Sequence, residues 1–149
     1  MGVEIAPLLA AGRLVPDDTT IALIKERLSH EDAQTGFVLD GFPRTVDQAE
    51  ALDDMLARAG RNLEAILFFD LPDDVATDRM LKRAEDEGRP DDTPEVIATR
   101  LATYHEQTEP IVEHYRVTGK LVPLHAQQSI DDVWTEIQAA MQRLEDDAE

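Results

Sequence analysis

The chain has 149 residues, no cysteine, and 14 Lys+Arg against 32 Asp+Glu, a formal net charge of −18. That length fits one domain with a real core, since about 150 residues bury roughly two-thirds of their unfolded surface, and 42% hydrophobic residues exclude a wholly disordered acidic chain. The cysteine count excludes a disulfide scaffold, a thiol nucleophile and a cysteine-bound zinc, no apolar run is long enough to span a bilayer, and the acidity disfavours nucleic acid or anionic membranes as partners.

Met1-Gly2-Val3-Glu4 lacks the basic and apolar regions of a secretory signal, so a cytoplasmic location is expected. Lys25, Lys82 and Lys120 are the only lysines; the other cations are arginines. Low lysine with excess acid is compatible with a high-salt cytoplasm and also with GC-rich codon usage.

In chain order, residues 3–11 are apolar and helix-compatible, with Gly12 as a stop. Val15 precedes Pro16 and is pushed toward extended backbone. Asp17 or Asp18 then caps a helix with Ile21, Ile24 and Leu28 on one face. Residues 36–40 form a short apolar run that predicts a buried strand, followed by a turn at Gly41-Phe42-Pro43-Arg44. A helix is expected over 46–58, with Ala49, Leu52 and Leu56 inward and Gly60 at its end, then a second buried strand over 65–69.

Asp73 or Asp74 would cap a helix running through Ala84, and 85–92 reads as a charged loop. Asp92, Pro94 and Glu95 predict a helix start by cap, early proline and capping box. Ile97, Leu101 and Tyr104 continue its face until Pro110 interrupts or restarts it. Residues 120–124 predict a third strand. The last helix is expected over 131–144, capped by Asp131-Asp132, with Val133, Ile137, Ala140, Met141 and Leu144 inward and Trp134 as a packing anchor. Strands alternating with helices imply an α/β fold with a parallel sheet covered on both faces.

Two constellations bear on chemistry. Asp40 closes an apolar strand, which places a carboxylate at the carboxyl edge of the sheet, where open α/β sheets bind ligands. A carboxylate there suits Mg²⁺ held through water. Gly41 permits close backbone approach, and Arg44 supplies a planar donor fork for phosphate. The alternative is a plain strand–turn–helix junction with Asp40 as a turn acceptor. Arg79 and Arg83 share a helix face, and Arg89 and Arg100 lie on the following loop and helix. They would make a strong field for polyphosphate, or else pair with Asp78, Glu85, Asp86 and Glu87 on a solvated face. His30, His105, His114 and His125 have no metal-ligand spacing, and GxxxxGK(S/T) is absent from the sequence.

Gly36-Phe37-Val38-Leu39-Asp40-Gly41-Phe42-Pro43-Arg44-Thr45, followed by Gln48-Ala49, closely resembles the adenylate kinase signature. The likeness extends over nearly the whole chain. It includes Ala11-Gly12-Arg13-Leu14-Val15-Pro16-Asp17 before the second helix of an AMP-binding subdomain, Asp78-Arg79 to Arg83 entering a lid, Arg89-Pro90-Asp91-Asp92 leaving it, and Arg100 with Thr108-Glu109-Pro110 on the helix beyond. The resemblance implies a P-loop nucleoside monophosphate kinase-like three-layer fold. Residues 1–35 would be the rest of the AMP-binding subdomain, 36–83 and 93–149 the core, and 84–92 a short lid without zinc.

The implied reaction is reversible transfer of phosphate from Mg·ATP to AMP, giving two ADP, with Arg44, Arg89, Arg100 and Asp40 as the catalytic set. AMP would meet Leu14, Val15, Gly41, Arg44, Gln48, Arg89 and Arg100, with Gln48 reading adenine. ATP phosphates would meet Arg79 and Arg83, and Asp40 would order the waters of Mg²⁺. There are two departures. Pro123-Leu124-His125-Ala126-Gln127 replaces the family's usual Asp-Gly-Thr-like turn near the ATP adenine. In addition, Met1 aligns inside the family, so the first strand and phosphate loop with its lysine are expected to be missing. Two readings of that departure stand side by side. One is an adenylate kinase read from a false internal start, a monomer when complete. The other is a noncatalytic remnant, at best a weak AMP binder or an interaction piece; on either reading these 149 residues alone would be association-prone.

Overall fold

The computed structural model describes residues 14–89 and 92–148; the expected helix at 3–11 and its stop at Gly12 lie outside them, as does Arg13. In chain order the elements are α1 (Asp17–Leu28), a 3₁₀ turn (Glu31–Ala33), α2 (Val46–Arg58), β1 (Ile66–Asp70), α3 (Asp73–Glu87) and α4 (Pro94–Thr103). A wide helical turn (Tyr104–Thr108), α5 (Pro110–Arg116), β2 (Leu121–His125) and α6 (Ile130–Ala148) complete the chain. β1 and β2 pair in parallel, with Ile66 opposite Leu121 and Asp70 opposite His125. The intervening α3, α4 and α5 supply the crossover that a parallel pair needs.

The α/β class and the parallel pairing therefore hold, and the helix predicted at 46–58 has those bounds. Its N-cap is Thr45, whose Oγ1 accepts from the Gln48 amide at 3.2 Å. Its inward face, Ala49, Leu52 and Leu56, is almost wholly inaccessible. One core cluster joins Leu28, Ala33, Phe42, Leu52 and Leu56. A second joins Ala49, Ile111 and Tyr115 at the foot of β1 and β2. Two small clusters fall short of the single sizeable core expected from length.

The strand expected over 36–40 does not pair with any described segment. Phe37 and Leu39 turn onto the first core cluster while Val38, between them, is 94% exposed. The side chains thus alternate as in a strand covered on one face. A ladder also needs a neighbouring edge to take up its N–H and C=O groups, and no described segment supplies one.

Several caps also differ from expectation, where acids placed to cap helices accept from side chains brought in by the fold. Pro16 sits at the N-cap of α1, and Asp17 instead accepts from Thr45 Oγ1 (3.1 Å) and Gln48 Nε2 (2.7 Å). α3 starts after Pro72 and runs on through Glu87, past the predicted end at Ala84, to a left-handed Gly88. The first part of the expected lid loop is therefore helical. Thr93, and not Asp92, caps α4, its Oγ1 accepting from the Val96 amide. Ser129 caps α6 and exchanges hydrogen bonds with Asp132. On α6, Ala140 is buried, whereas Trp134 and Met141 are about half exposed and do not anchor it.

Candidate functional site

A cleft of about 1490 Å³ runs between the extended segment 36–44 and β1, and is closed on its far side by α3, α4 and the wide turn. Leu14, Asp40, Gly41, Arg44, Arg83, Arg89 and Arg100 line it. Val15, Gln48 and Arg79 stand outside its lining. A second hollow of about 200 Å³, walled by Asp53, Arg61, Tyr115 and Lys120, holds none of the expected site residues.

The Arg44 loop is built from its own backbone outward. Gly41 sits at φ +76°, and a Cβ there would fall 2.9 Å from Arg44 Nη2. The close approach that glycine permits is thus made by Arg44 itself, whose Nε donates to the Gly41 carbonyl at 2.7 Å. The Arg44 amide donates to Gln48 Oε1 at 2.8 Å. Gln48 is buried, and with its Nε2 on Asp17 both ends of its carboxamide are engaged. Thr108 Oγ1 donates to the Arg44 carbonyl at 2.7 Å from across the cleft. Arg44 is therefore held through its amide, its carbonyl and its side chain.

The second group of arginines converges on one carboxylate. Asp92 is 3% exposed. Arg83 donates to it through Nε (2.9 Å) and Nη2 (2.7 Å), Arg100 donates through Nη1, and Arg89 Nε lies 3.9 Å away. Burial by itself would raise the Asp92 pKa; the hydrogen bonds from Arg83 and Arg100 outweigh it and hold the carboxyl below the usual carboxylate range. Glu87 stands 3.8 Å from Arg89. Three guanidinium groups are thus gathered at one point inside a chain of net −18, and guanidinium groups are the donors best matched to an anion's oxygens. Arg79, although on the same helix face as Arg83, points elsewhere and reaches the Gln128 carbonyl only at 3.5 Å.

Asp92 was legible as part of Arg-x-Asp-Asp but was read as a cap. Asp17, His105 and Thr108 were not singled out as site residues; Thr108 had a signal, its place in Thr-Glu-Pro. His105 places Nε2 2.7 Å from Asp73 and Nδ1 2.8 Å from Glu109. Those two bonds, Glu109 first, raise its pKa. Among the described residues no group of three His, Cys, Asp or Glu could hold a metal ion alone, and no helix is long and apolar enough to cross a membrane. A Mg²⁺ arriving on a nucleotide needs only one or two carboxylates, and the exposed Asp40 at the cleft fits that need.

Arginines from a loop, two helices and their connection, opening on a cleft beside a parallel pair of strands, define an α/β protein of the phosphate-handling class. A family model described as adenylate kinase matches residues 1–120. The adenylate kinase of a Caulobacter species is 44% identical over 141 residues, covering 95% of this chain and 75% of the relative. That of a Cyanothece species is 43% identical, covering 97% and 74%, and that of Micrococcus luteus 45% identical, covering 89% and 65%. The chain belongs to the adenylate kinase family, whose reaction is ATP + AMP to two ADP, and it has the P-loop nucleoside monophosphate kinase fold expected from its signature.

Proposed function

We propose that the cleft binds AMP and the phosphates of ATP in the cytoplasm, and that these 149 residues turn the substrates over poorly by themselves. The observation that carries the binding reading is the convergence of Arg44, Arg83, Arg89 and Arg100 on one cleft. Arg44, Arg89 and Arg100 hold the AMP phosphate and face the transferred group, Gly41 lets the nucleotide approach the backbone, and Arg83, with Arg79, takes the ATP phosphates. Guanidinium forks match phosphate oxygens two at a time. In phosphoryl transfer, such positioning and charge stabilisation are nearly the whole of catalysis. Adenine of AMP lies against Leu14 and Val15 and exchanges with Asp17 for the Gln48 carboxamide. Mg²⁺, carried by ATP, would neutralise developing phosphate charge; Asp40 would hold its waters.

The turnover reading rests on the sequence, which contains no GxxxxGK(S/T) and so no backbone cradle with lysine for the β- and γ-phosphates. Exposed Val38 and half-exposed Phe69 on the cleft side support association of the chain with itself; a complete version would be monomeric.

The test is ADP formation from ATP and AMP by the purified chain, beside a version joined to the N-terminal part of the Caulobacter relative. The short chain is expected to fall more than about tenfold below the joined one. In the joined version Arg44→Lys is expected to cut turnover with the circular dichroism unchanged. Turnover by the short chain within tenfold would overturn the reading of poor activity, and near-normal kinetics of Arg44→Lys would overturn the role of Arg44.

A further inference from the structure

α4 and α5 are one helical run interrupted by a single wide turn. The Glu109 amide donates to the Tyr104 carbonyl five residues back, at 2.8 Å, where an α-helix would reach four. Pro110 accounts for it. It has no N–H to give, and in an unbroken helix its ring would meet the carbonyl of Glu106. Widening the turn moves that carbonyl aside. One extra residue also rotates everything after it by about 100° relative to α4. Such wide turns are frequent at functional sites.

What this turn holds is specific. Its last residue, Thr108, donates to the Arg44 carbonyl from 64 residues away in sequence. Its second residue, His105, sits between Asp73, the first residue of α3, and Glu109. α3 carries Arg79 and Arg83, and Arg100 lies on α4 one turn before the wide turn. The two arginine groups therefore share one support. We propose that the Tyr104–Thr108 turn is a bracket that positions both sides of the site. Thr108 is a positioning residue for Arg44, and His105, through Asp73, is a positioning residue for the arginines of α3. This rests on the reading that the cleft binds nucleotide phosphates.

The charge state of the bracket follows from its geometry. A neutral imidazole has one N–H, so it donates to one of the two carboxylates; the imidazolium donates to both. The groups facing His105 are Asp73 from α3 and Glu109 from α5, with the Tyr104 ring edge-on at 5.3 Å. Asp70, at the end of β1, acts on Tyr104 alongside both acids. Glu109 and Asp73 both favour the doubly protonated ring.

The experiment uses the full 149-residue chain, isotope-labelled, and reads the arginine Nε–Hε and histidine ring signals by NMR, with and without AMP or ADP. Thr108→Val is expected to move the Arg44 Nε signal and weaken AMP about five- to tenfold, the loss of one good hydrogen bond. Thr108→Ser should restore both to within about twofold. Asp73→Asn should lower the His105 titration midpoint and move the Arg79 and Arg83 signals, leaving Arg44 unmoved. An Arg44 signal indifferent to Thr108→Val, or Arg79 and Arg83 signals indifferent to Asp73→Asn, overturns the bracket whether or not AMP binds. Arginine signals that respond to the variants but never to AMP or ADP leave the bracket standing and overturn the nucleotide reading.

Discussion

α2 and α3 differ in what holds them. α2, 13 residues long, buries Gln48, Ala49, Leu52 and Leu56 and joins both core clusters. α3 has 15 residues and buries none. Val75, Met80 and Leu81 are only partly buried, and polar contacts add to them: Asp73 to His105, Arg79 to the Gln128 carbonyl, and Arg83 to Asp92. Apolar burial is insensitive to pH and is not screened by salt, whereas ionic contacts depend on both, the exposed ones such as Asp73–His105 contributing little and the one to buried Asp92 more. The helix beside Arg44 is thus seated in the core. The helix carrying the arginines proposed for ATP, with only partly buried apolar residues and polar contacts to hold it, is the less firmly seated of the two. That is the arrangement expected where one side of a site must move over its substrate and the other must not.

The largest expected effect tests the seated side. Leu52→Ala removes a side chain of 0% exposure and should cost about 2–5 kcal/mol, while Leu81→Ala on α3 should cost well under half of that. Urea unfolding monitored by circular dichroism measures both, and equal losses would break the comparison.

Next, Asp92→Asn keeps the shape and removes the charge that gathers Arg83 and Arg100. It should cost about 1–3 kcal/mol, tempered because the Arg83 side chain is 39% exposed and rehydrates. Amide exchange should quicken in α3 and not in α2. Exchange that quickens in both would mean that Asp92 serves the whole fold.

The smallest effect is pH-dependent and sharpens the comparison. Because Glu109 and then Asp73 raise the His105 pKa, its contribution is complete below the unfolded value of about 6.5. It is lost as pH rises through the higher folded value. Exchange at the start of α3 should therefore quicken as pH is raised above 6.5, after correction for intrinsic rates, and His105→Gln should abolish that trend while α2 shows none.

The legible parts of the molecule were those where one local rule acts alone. The 3.6-residue spacing of Ala49, Leu52 and Leu56 located α2, and the run Ile66–Phe69 located β1. Of the five arginines that line the cleft, the sequence singled out Arg44, Arg83, Arg89 and Arg100 but not Arg61. What it misassigned were acids with two possible tasks. Asp17, Asp73 and Asp92 each stand where a helix cap is expected, yet each is taken by a distant donor: Thr45 and Gln48, His105, and Arg83 with Arg100. For Asp73 and Asp92 the donor is an imidazole or a guanidinium, which binds a carboxylate more strongly than a backbone amide when charged; for Asp17 two neutral donors brought together by the fold, Thr45 and Gln48, replace one local amide.

The sequence alone was enough for the family, the helix that seats Arg44, the strands Ile66–Asp70 and Leu121–His125 to within a residue, and the arginines proposed to meet phosphate. Motif and periodicity are local properties of a chain. The tertiary structure alone decided that Phe37-Val38-Leu39 pairs with no described segment and turns Val38 outward, because strand pairing requires a second edge. It alone decided that Arg79 and Arg83, equal in the sequence, part company toward Gln128 and Asp92. And it decided that one wide turn before Pro110 carries both Thr108 and His105 to opposite sides of the site, because a rotation of about 100° in a helix has no signature until something stands where it points.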